Sequence, residues 1–260
     1  MERKGSIATK FGTMKYAVMG EGEEFAVMLQ GWATKRELYG GVVSSLAEKY
    51  TVIFPMFLGF GESEEPSEAL CVSDYAEAVN LLLTELGVKK ARFFCHPFGG
   101  RVFFKLNAME DRFTEPSDVL LCDVAGVLPK KSLWKRLRIR IYKLGKKLLD
   151  TKIMRFFFPD ALETLRSGSG SADYNSASPV MRGTLVRTVN EDLRHLFGLV
   201  GSSTLILWGK SDDAVPLSDA YIIDAAIKDS AVIVFENSGH FPFITERAKF
   251  DAVLRSFFGI

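Results

Sequence analysis

Three short segments of the sequence hold side chains that could do acid–base or nucleophilic chemistry. They are residues 237–242 (NSGHFP) with His240, residues 207–216 (LWGKSDDAVP) with two adjacent carboxylates, and residues 95–100 (CHPFGG) with a thiol and an imidazole. An imidazole held by a carboxylate can act as a general base. A cysteine becomes a nucleophile only as a thiolate, which burial in apolar surroundings opposes. Whether these groups can act together in one site therefore depends on whether the fold brings them into contact.

Short apolar runs bounded by turn residues alternate with amphipathic stretches along most of the chain. The predicted strands are residues 25–30, 51–54, 92–95, 119–122, 204–208 and 231–235. Runs of this kind suit strands that are buried on both faces of a sheet. Apolar residues at helical spacing predict helices over residues 72–86, 98–109 and 250–258. The alternation predicts an α/β fold, with a mostly parallel sheet and helices on both of its faces.

Five segments in chain order resemble motifs of the α/β-hydrolase superfamily. Residues 95–100 stand where that superfamily places its nucleophile elbow, G-x-S-x-G, between a strand and a helix. Residues 29–32 (LQGW) resemble the H-G oxyanion segment, and residues 54–63 (FPMFLGFGES) resemble the P-D-x-x-G-x-G-x-S loop. Residues 207–216 and 237–242 resemble the segments that hold the catalytic acid and histidine. The resemblance covers nearly the whole chain and is to the helical-capped small serine hydrolases, which include C–C bond hydrolases, esterases and haloperoxidase-like enzymes.

The resemblance implies a role for each residue at a matching position. His240 and Asp212 correspond to the catalytic histidine and acid, and Asp212 fits the spacing from Gly209 better than its competitor Asp213. The expected oxyanion and pocket residues are Gln30, Gly31, Trp32, Met56 and Phe98. We expect a small apolar molecule to bind in this pocket.

Three of the matching positions depart from the superfamily pattern. Gln30 stands where His is usual, Met56 where Asp is usual, and Pro97 where the nucleophile Ser is usual. All three map to the floor of the expected pocket, whereas random drift would scatter such changes along the chain. We interpret the changes as a redesigned or repurposed pocket, with natural loss of catalysis as the alternative.

Proline at the elbow has a backbone consequence beyond the missing hydroxyl. The elbow nucleophile normally sits at positive φ, a strained conformation, and proline fixes φ near about −65°. We therefore expect Pro97 to be the first residue of the following helix, where proline is tolerated. His96 is then pushed toward extended geometry, and the amide of Phe98 is expected to move from its usual place in the oxyanion hole.

The sequence predicts an α/β-hydrolase-fold protein with a disabled or redesigned site, acting as a scaffold with a small-molecule pocket. One alternative is an enzyme of hydrolase or lyase type that uses His240 and Asp212 as a general base, with Gln30 as an amide donor. Some cofactor-free members of the superfamily use the dyad in this way. Another alternative is a thiol hydrolase that uses Cys95. Whether the chain is an enzyme stays open at this point.

Residues 127–195 interrupt the alternation and predict a helical cap inserted between two core segments, residues 1–126 and 196–260. Residues 130–147 combine an apolar stripe with many lysines and arginines, which we interpret as the solvated face of a cap helix. Contact with a membrane surface or an acidic partner is the alternative. Residues 167–171 (SGSGS) predict a flexible loop, and His195 is expected on the surface of the cap.

The composition is typical of a soluble globular protein, with 47% apolar and 25% charged residues. A formal net charge of +1 favours neither a nucleic-acid nor a polyanion partner. The sequence has no run approaching the roughly 18 apolar residues of a membrane span, and its first residues do not resemble a signal peptide. Three cysteines without metal-ligand spacing predict a reduced, cytoplasmic protein without metal or other cofactor. We expect a monomer or homodimer.

Overall fold

The computed structural model describes residues 2–128 and 172–260, and its centre is one eight-stranded sheet. The strands are β1 (Glu2–Thr9), β2 (Gly12–Met19), β3 (Glu24–Leu29), β4 (Tyr50–Pro55), β5 (Lys90–Cys95), β6 (Glu115–Cys122), β7 (Ser203–Gly209) and β8 (Ser230–Phe235). Their spatial order is β1-β2-β4-β3-β5-β6-β7-β8. Strands β3 to β8 are parallel, whereas β2 pairs antiparallel with both β1 and β4.

Helices lie on both faces of this sheet. The α-helices of the described residues are α1 (Gly40–Ala47), α2 (Val72–Glu85), α3 (Pro97–Asn107), α4 (Ala172–Ser176), α5 (Pro179–Val189), α6 (Arg194–Phe197), α7 (Ser218–Asp224), α8 (Pro242–Thr245) and α9 (Arg247–Phe258). A short 3₁₀ helix, Arg36–Tyr39, precedes α1. None of these described helices is both long and apolar enough to span a bilayer.

Alternate residues of each central strand face two separate apolar cores. In β3, Val27 and Leu29 belong to the core that α2, α3 and α7 cover, whereas Ala26 and Met28 belong to the core that α1 and α9 cover. Burial on both faces explains the continuous apolar runs in the central parallel strands, such as Val119 to Cys122 in β6. The predicted α/β-hydrolase fold, with its mostly parallel sheet and flanking helices, is confirmed.

The sequence prediction missed the first two strands. β1 is largely exposed at the edge of the sheet and begins with charged residues, Glu2, Arg3 and Lys4, so it lacks the buried apolar run that identified the others. β2 is only partly buried. Edge strands are often charged in this way, which protects their unpaired backbone groups from other chains.

Much of the predicted cap falls outside the described residues, including the basic segment 130–147 and the SGSGS loop. The described end of the insertion packs onto the core: the Leu70 amide donates to Thr184 Oγ1 of α5 at 3.0 Å. The Leu193 amide donates to the Gly126 carbonyl at 2.9 Å, which joins the two ends of the insertion. The domain division at residues 127 and 195 stays a prediction.

Candidate active site

The carboxylate of Asp212 and the imidazole of His240 meet at the carboxyl edge of the sheet. Asp212 Oδ2 lies 2.7 Å from His240 Nδ1, and the Asp212 side chain is fully buried while that of His240 is 21% exposed. Asp212 Oδ1 accepts hydrogen bonds from the amides of Ala214 and Val215, at 2.8 and 3.0 Å. Each carboxylate oxygen therefore has a donor, and Asp213, its exposed neighbour, takes no part in the pair.

Hydrogen bonding keeps the Asp212 carboxyl ionised in spite of its burial. Burial opposes ionisation, but the hydrogen bonds from His240 and from the two amides outweigh it and lower the pKa of Asp212. An ionised carboxylate must accept, so His240 Nδ1 carries a proton and Nε2 is the atom free to act as a base.

Two loops carry this pair, and glycine lets them approach closely. Asp212 follows β7 and His240 follows β8, and the Ser211 amide donates to the Ser238 carbonyl at 2.9 Å. A Cβ atom added to Gly209 would lie 1.9 Å from the Gly239 carbonyl oxygen, so only glycine fits between the loops.

The elbow is relaxed around its proline. Helix α3 begins at Pro97, as the sequence predicts, and His96 before it is extended with φ −115° and ψ 159°. A Cβ atom on Gly99 would lie 2.0 Å from the Leu29 carbonyl oxygen, which explains the glycine after the elbow. The bend therefore keeps the close strand–helix packing of the nucleophile elbow, but it lacks the strained residue at positive φ that the elbow normally contains.

Most of the predicted pocket residues are buried, although Phe98 and Met56 belong to different apolar cores. Gln30 is 2% exposed, Met56 5% and Phe98 4%. Trp32 and Phe98 pack edge to face with ring centroids 5.2 Å apart. Phe98 also contacts Phe57, Phe60 and Tyr75 in an aromatic cluster. Around Phe98 the predicted pocket residues are therefore packed in an aromatic cluster.

The backbone amides of two predicted pocket residues differ in availability. The Gly31 amide donates to the Tyr39 hydroxyl at 2.8 Å, so it is not available to a substrate oxyanion. The Phe98 amide is at the second position of α3, and the first amides of a helix lack an intrahelical acceptor. Of these two, only the Phe98 amide can offer a donor to a ligand.

The thiols do not fit the role of nucleophile. Cys95 and Cys122 are fully buried, and burial raises the pKa of each thiol well above its usual value. The thiolate form that attack requires is therefore disfavoured. His195 is exposed on α6, far along the chain from the elbow and consistent with its predicted surface position.

Two further buried residues near the dyad had no role assigned to them from the sequence. His96 is fully buried, with its ring centroid 5.0 Å from that of His240. Asp123 is fully buried at φ 48° after β6 and accepts from the Gly209 amide at 2.9 Å. Burial raises the pKa of Asp123 to about 7. Its place directly after a buried strand, at the edge that holds Asp212, was a signal that could have identified it.

His96, Cys122 and Asp123 also offer a group of metal-ligand atoms within 4.8 Å of one another. Both ring nitrogens of His96 already have hydrogen-bond partners, and the Cys122 thiol donates to Asp123 Oδ2 at 3.3 Å. These contacts satisfy the three side chains without an ion. The arrangement is therefore a hydrogen-bonded network and does not favour a metal centre.

A cleft among the described residues lies away from the dyad. Its volume is about 880 Å³, and it is lined at the amino ends of the strands by residues such as Glu24, Lys90 and Arg92. Pro97, Gln30 and His240 do not line it.

The sheet order, the elbow and the acid–histidine pair define an α/β-hydrolase. A sequence model of the alpha/beta hydrolase family matches residues 26–253, and the chain belongs to that family. It is 25% identical to an uncharacterized protein of Mycobacterium bovis, over 93% of this chain and 77% of that protein. It is 23% identical to a pimeloyl-[acyl-carrier protein] methyl ester esterase of Proteus mirabilis, over 92% of this chain and 94% of the other.

Solved structures show the same fold. A hydrolase from Pseudomonas aeruginosa superposes with a TM-score of 0.75 at 18% identity, covering 99% of this chain and 98% of the other. An esterase from Exiguobacterium antarcticum superposes with a TM-score of 0.73 at 22% identity, covering 96% of each chain.

Proposed function

We propose that this member of the family does no covalent serine chemistry, and that His240 and Asp212 act as a general base on a bound substrate or on water. The observation that carries the proposal is the pairing of Asp212 Oδ2 with His240 Nδ1 at 2.7 Å next to an elbow whose nucleophile position is Pro97. The proposal holds whether the three changed positions arose by design or by natural divergence.

The dyad has what a base requires. Asp212 orients the imidazole through Nδ1 and stabilises the positive charge that the ring acquires when Nε2 takes a proton. Among the described residues, no hydroxyl or thiol is hydrogen-bonded to the His240 ring. The proton that Nε2 removes therefore comes from water or from a ligand. Likeness to esterases supports an ester as the substrate class.

Turnover of p-nitrophenyl acetate tests the proposal. We expect slow, linear release of p-nitrophenol, without an initial burst because no acyl-enzyme accumulates. His240→Ala should lower the rate above background by about 10²-fold or more, the usual contribution of a general base. Asp212→Asn should also lower it, because an amide no longer stabilises the charged ring.

The matched control is Asp213→Asn, which changes an exposed carboxylate beside Asp212. It should leave the rate unchanged. A stoichiometric burst, or a rate unaffected by His240→Ala, would contradict base catalysis by this dyad.

A second candidate function is binding of a small apolar molecule without chemistry. It is favoured by the contact of Trp32 with Phe98 and by Met56, a buried apolar side chain that stands where an aspartate is usual in the resembling motif. This candidate predicts no turnover above background, and saturable binding of the neutral dye N-phenyl-1-naphthylamine that Trp32→Ala weakens. It is wrong if the dye does not bind or if binding is insensitive to Trp32.

A further inference from the structure

A second imidazole, that of His96, is hydrogen-bonded to the backbone of the catalytic histidine. His96 Nε2 lies 3.0 Å from the main-chain oxygen of His240, and His96 Nδ1 lies 3.0 Å from the hydroxyl oxygen of Tyr39. Tyr39 and His96 are both fully buried. The contact joins the residue before Pro97 to a residue 144 positions later in the chain.

The partners of His96 fix the positions of its protons. A carbonyl oxygen can only accept, so Nε2 must carry a hydrogen and donate it to His240. In the neutral ring Nδ1 is then an acceptor, and the Tyr39 hydroxyl donates to it. The Tyr39 oxygen in turn accepts from the Gly31 amide at 2.8 Å and lies 2.9 Å from Thr34 Oγ1.

Every polar atom of this hydrogen-bonded network therefore has a compatible partner. The network links the loops after β3, β5 and β8, which carry Gly31, His96 and His240. Buried polar networks that are fully satisfied favour one arrangement of their parts, because each broken bond leaves a desolvated group.

His96 is not a second base. Its basic nitrogen is occupied by Tyr39 and is shielded from solvent. Burial, together with the neighbouring His240, lowers the pKa of His96 to about 3, although the nearby Asp212 carboxylate opposes the shift. The ring stays neutral at physiological pH and acts through its hydrogen bonds.

We propose that His96 is a positioning residue, which holds the main chain of His240 through its Nε2–H so that the catalytic imidazole faces Asp212. This inference rests on the proposed general-base function and extends it to the residue before the lost nucleophile. A displacement of about 1 Å in a catalytic group can cost on the order of 10²-fold in rate.

Nitrogen-15 NMR of the imidazole rings tests the proposal without relying on activity. The chain has three histidines, so single variants assign every ring. We expect His96 in the Nε2–H form at neutral pH, and His240 with a protonated Nδ1 in a strong hydrogen bond to Asp212. A His96 ring that is charged, or protonated on Nδ1, overturns the proposal.

A matched pair of substitutions isolates the critical donor. His96→Gln places an amide NH₂ near the position of Nε2, whereas the shorter His96→Asn cannot reach the His240 carbonyl. We expect His96→Asn to weaken the His240 Nδ1 signal and to lower kcat about tenfold or more with little change in KM. In His96→Gln the His240 Nδ1 signal and kcat should be closer to wild type than in His96→Asn. His195→Gln, at an exposed histidine, should change neither the signal nor kcat.

Tyr39→Phe provides a second, milder test, because it removes one hydroxyl and keeps the ring. It should disturb the His96 signals and reduce kcat by a smaller factor. If His96→Asn and Tyr39→Phe both leave the His240 ring signals as in wild type, the positioning role is wrong. If the ring signals respond but no variant, wild type included, turns over ester, the positioning role stands and the proposed function fails.

Discussion

The main-chain oxygen of His240 accepts a hydrogen bond from Nε2 of His96 at 3.0 Å. Through this contact the elbow and the histidine loop are parts of one hydrogen-bonded network, even though residue 97 is a proline. The side chain before Pro97 therefore contributes to the site, whereas the ring of Pro97 itself only shapes the bend. The consequences can be tested by changes to stability as well as to activity.

Replacement of Pro97 should destabilise the fold slightly. Proline at the first helical position suits the folded chain and restricts the unfolded one, so Pro97→Ala should lower the free energy of unfolding by about 0.4–1 kcal/mol. Urea denaturation measures the change. Pro179→Ala is the control, because Pro179 occupies the same position in α5. A gain in stability on Pro97→Ala would show that the proline is strained at the elbow.

A side chain at Gly99 should be costly. The added Cβ would lie 2.0 Å from the Leu29 carbonyl oxygen, in backbone that both β3 and α3 hold in place. Gly99→Ala should therefore lower the free energy of unfolding by about 1–3 kcal/mol, the usual cost of overpacking. Gly40→Ala is the control, because a Cβ there meets nothing within 4 Å and the residue is helical. A Gly99→Ala protein as stable as wild type would contradict the described packing.

His96 and Asp123 should give opposite dependences of stability on pH. Burial lowers the pKa of His96 to about 3 from an unfolded value near 6.5. Between these two pH values the unfolded chain binds a proton at His96 that the folded chain does not. Its contribution to stability is lost as the pH falls through this range. Burial raises the pKa of Asp123 to about 7, so the folded chain binds the extra proton above pH 4, and that contribution is lost as the pH rises toward 7.

Single variants should separate the two effects between pH 4 and 6.5. His96→Gln removes the proton that the unfolded chain binds at His96. The slope of its free energy of unfolding against pH should therefore be lower than that of wild type, by up to about 1.4 kcal/mol per pH unit. Asp123→Asn should change the slope in the opposite direction. Urea unfolding at a series of pH values measures both slopes, and equal slopes in all three proteins would refute the assignment.

The sequence predicted the six parallel strands because they depend on local apolar runs, and the helix start at Pro97 because proline restricts its own backbone. The Asp212 and His240 segments were predicted from their resemblance to superfamily motifs. It could not predict the partners of His96, since Tyr39 lies 57 residues before it and His240 lies 144 residues after it. Asp123 escaped notice for a related reason. Its position directly after a buried strand was a signal, but its burial and its contact with Gly209, 86 residues away, cannot be read from the sequence.

The spacing from Gly209 favoured Asp212 over Asp213 as the acid, but the sequence could not show the contacts that separate the two carboxylates. The structure turns Asp212 inward, where two amides and His240 hold it, and leaves Asp213 exposed.

Labelling with a fluorophosphonate probe, followed by intact-protein mass spectrometry, tests the central claim most directly. We expect no adduct on the wild-type chain and little on Pro97→Ser alone, because Gln30 and Met56 also depart from the superfamily pattern. The triple variant Gln30→His, Met56→Asp, Pro97→Ser should gain one adduct on residue 97, and a further His240→Ala should remove it. A wild-type adduct that depends on His240, or a triple variant that stays unlabelled, would contradict the account.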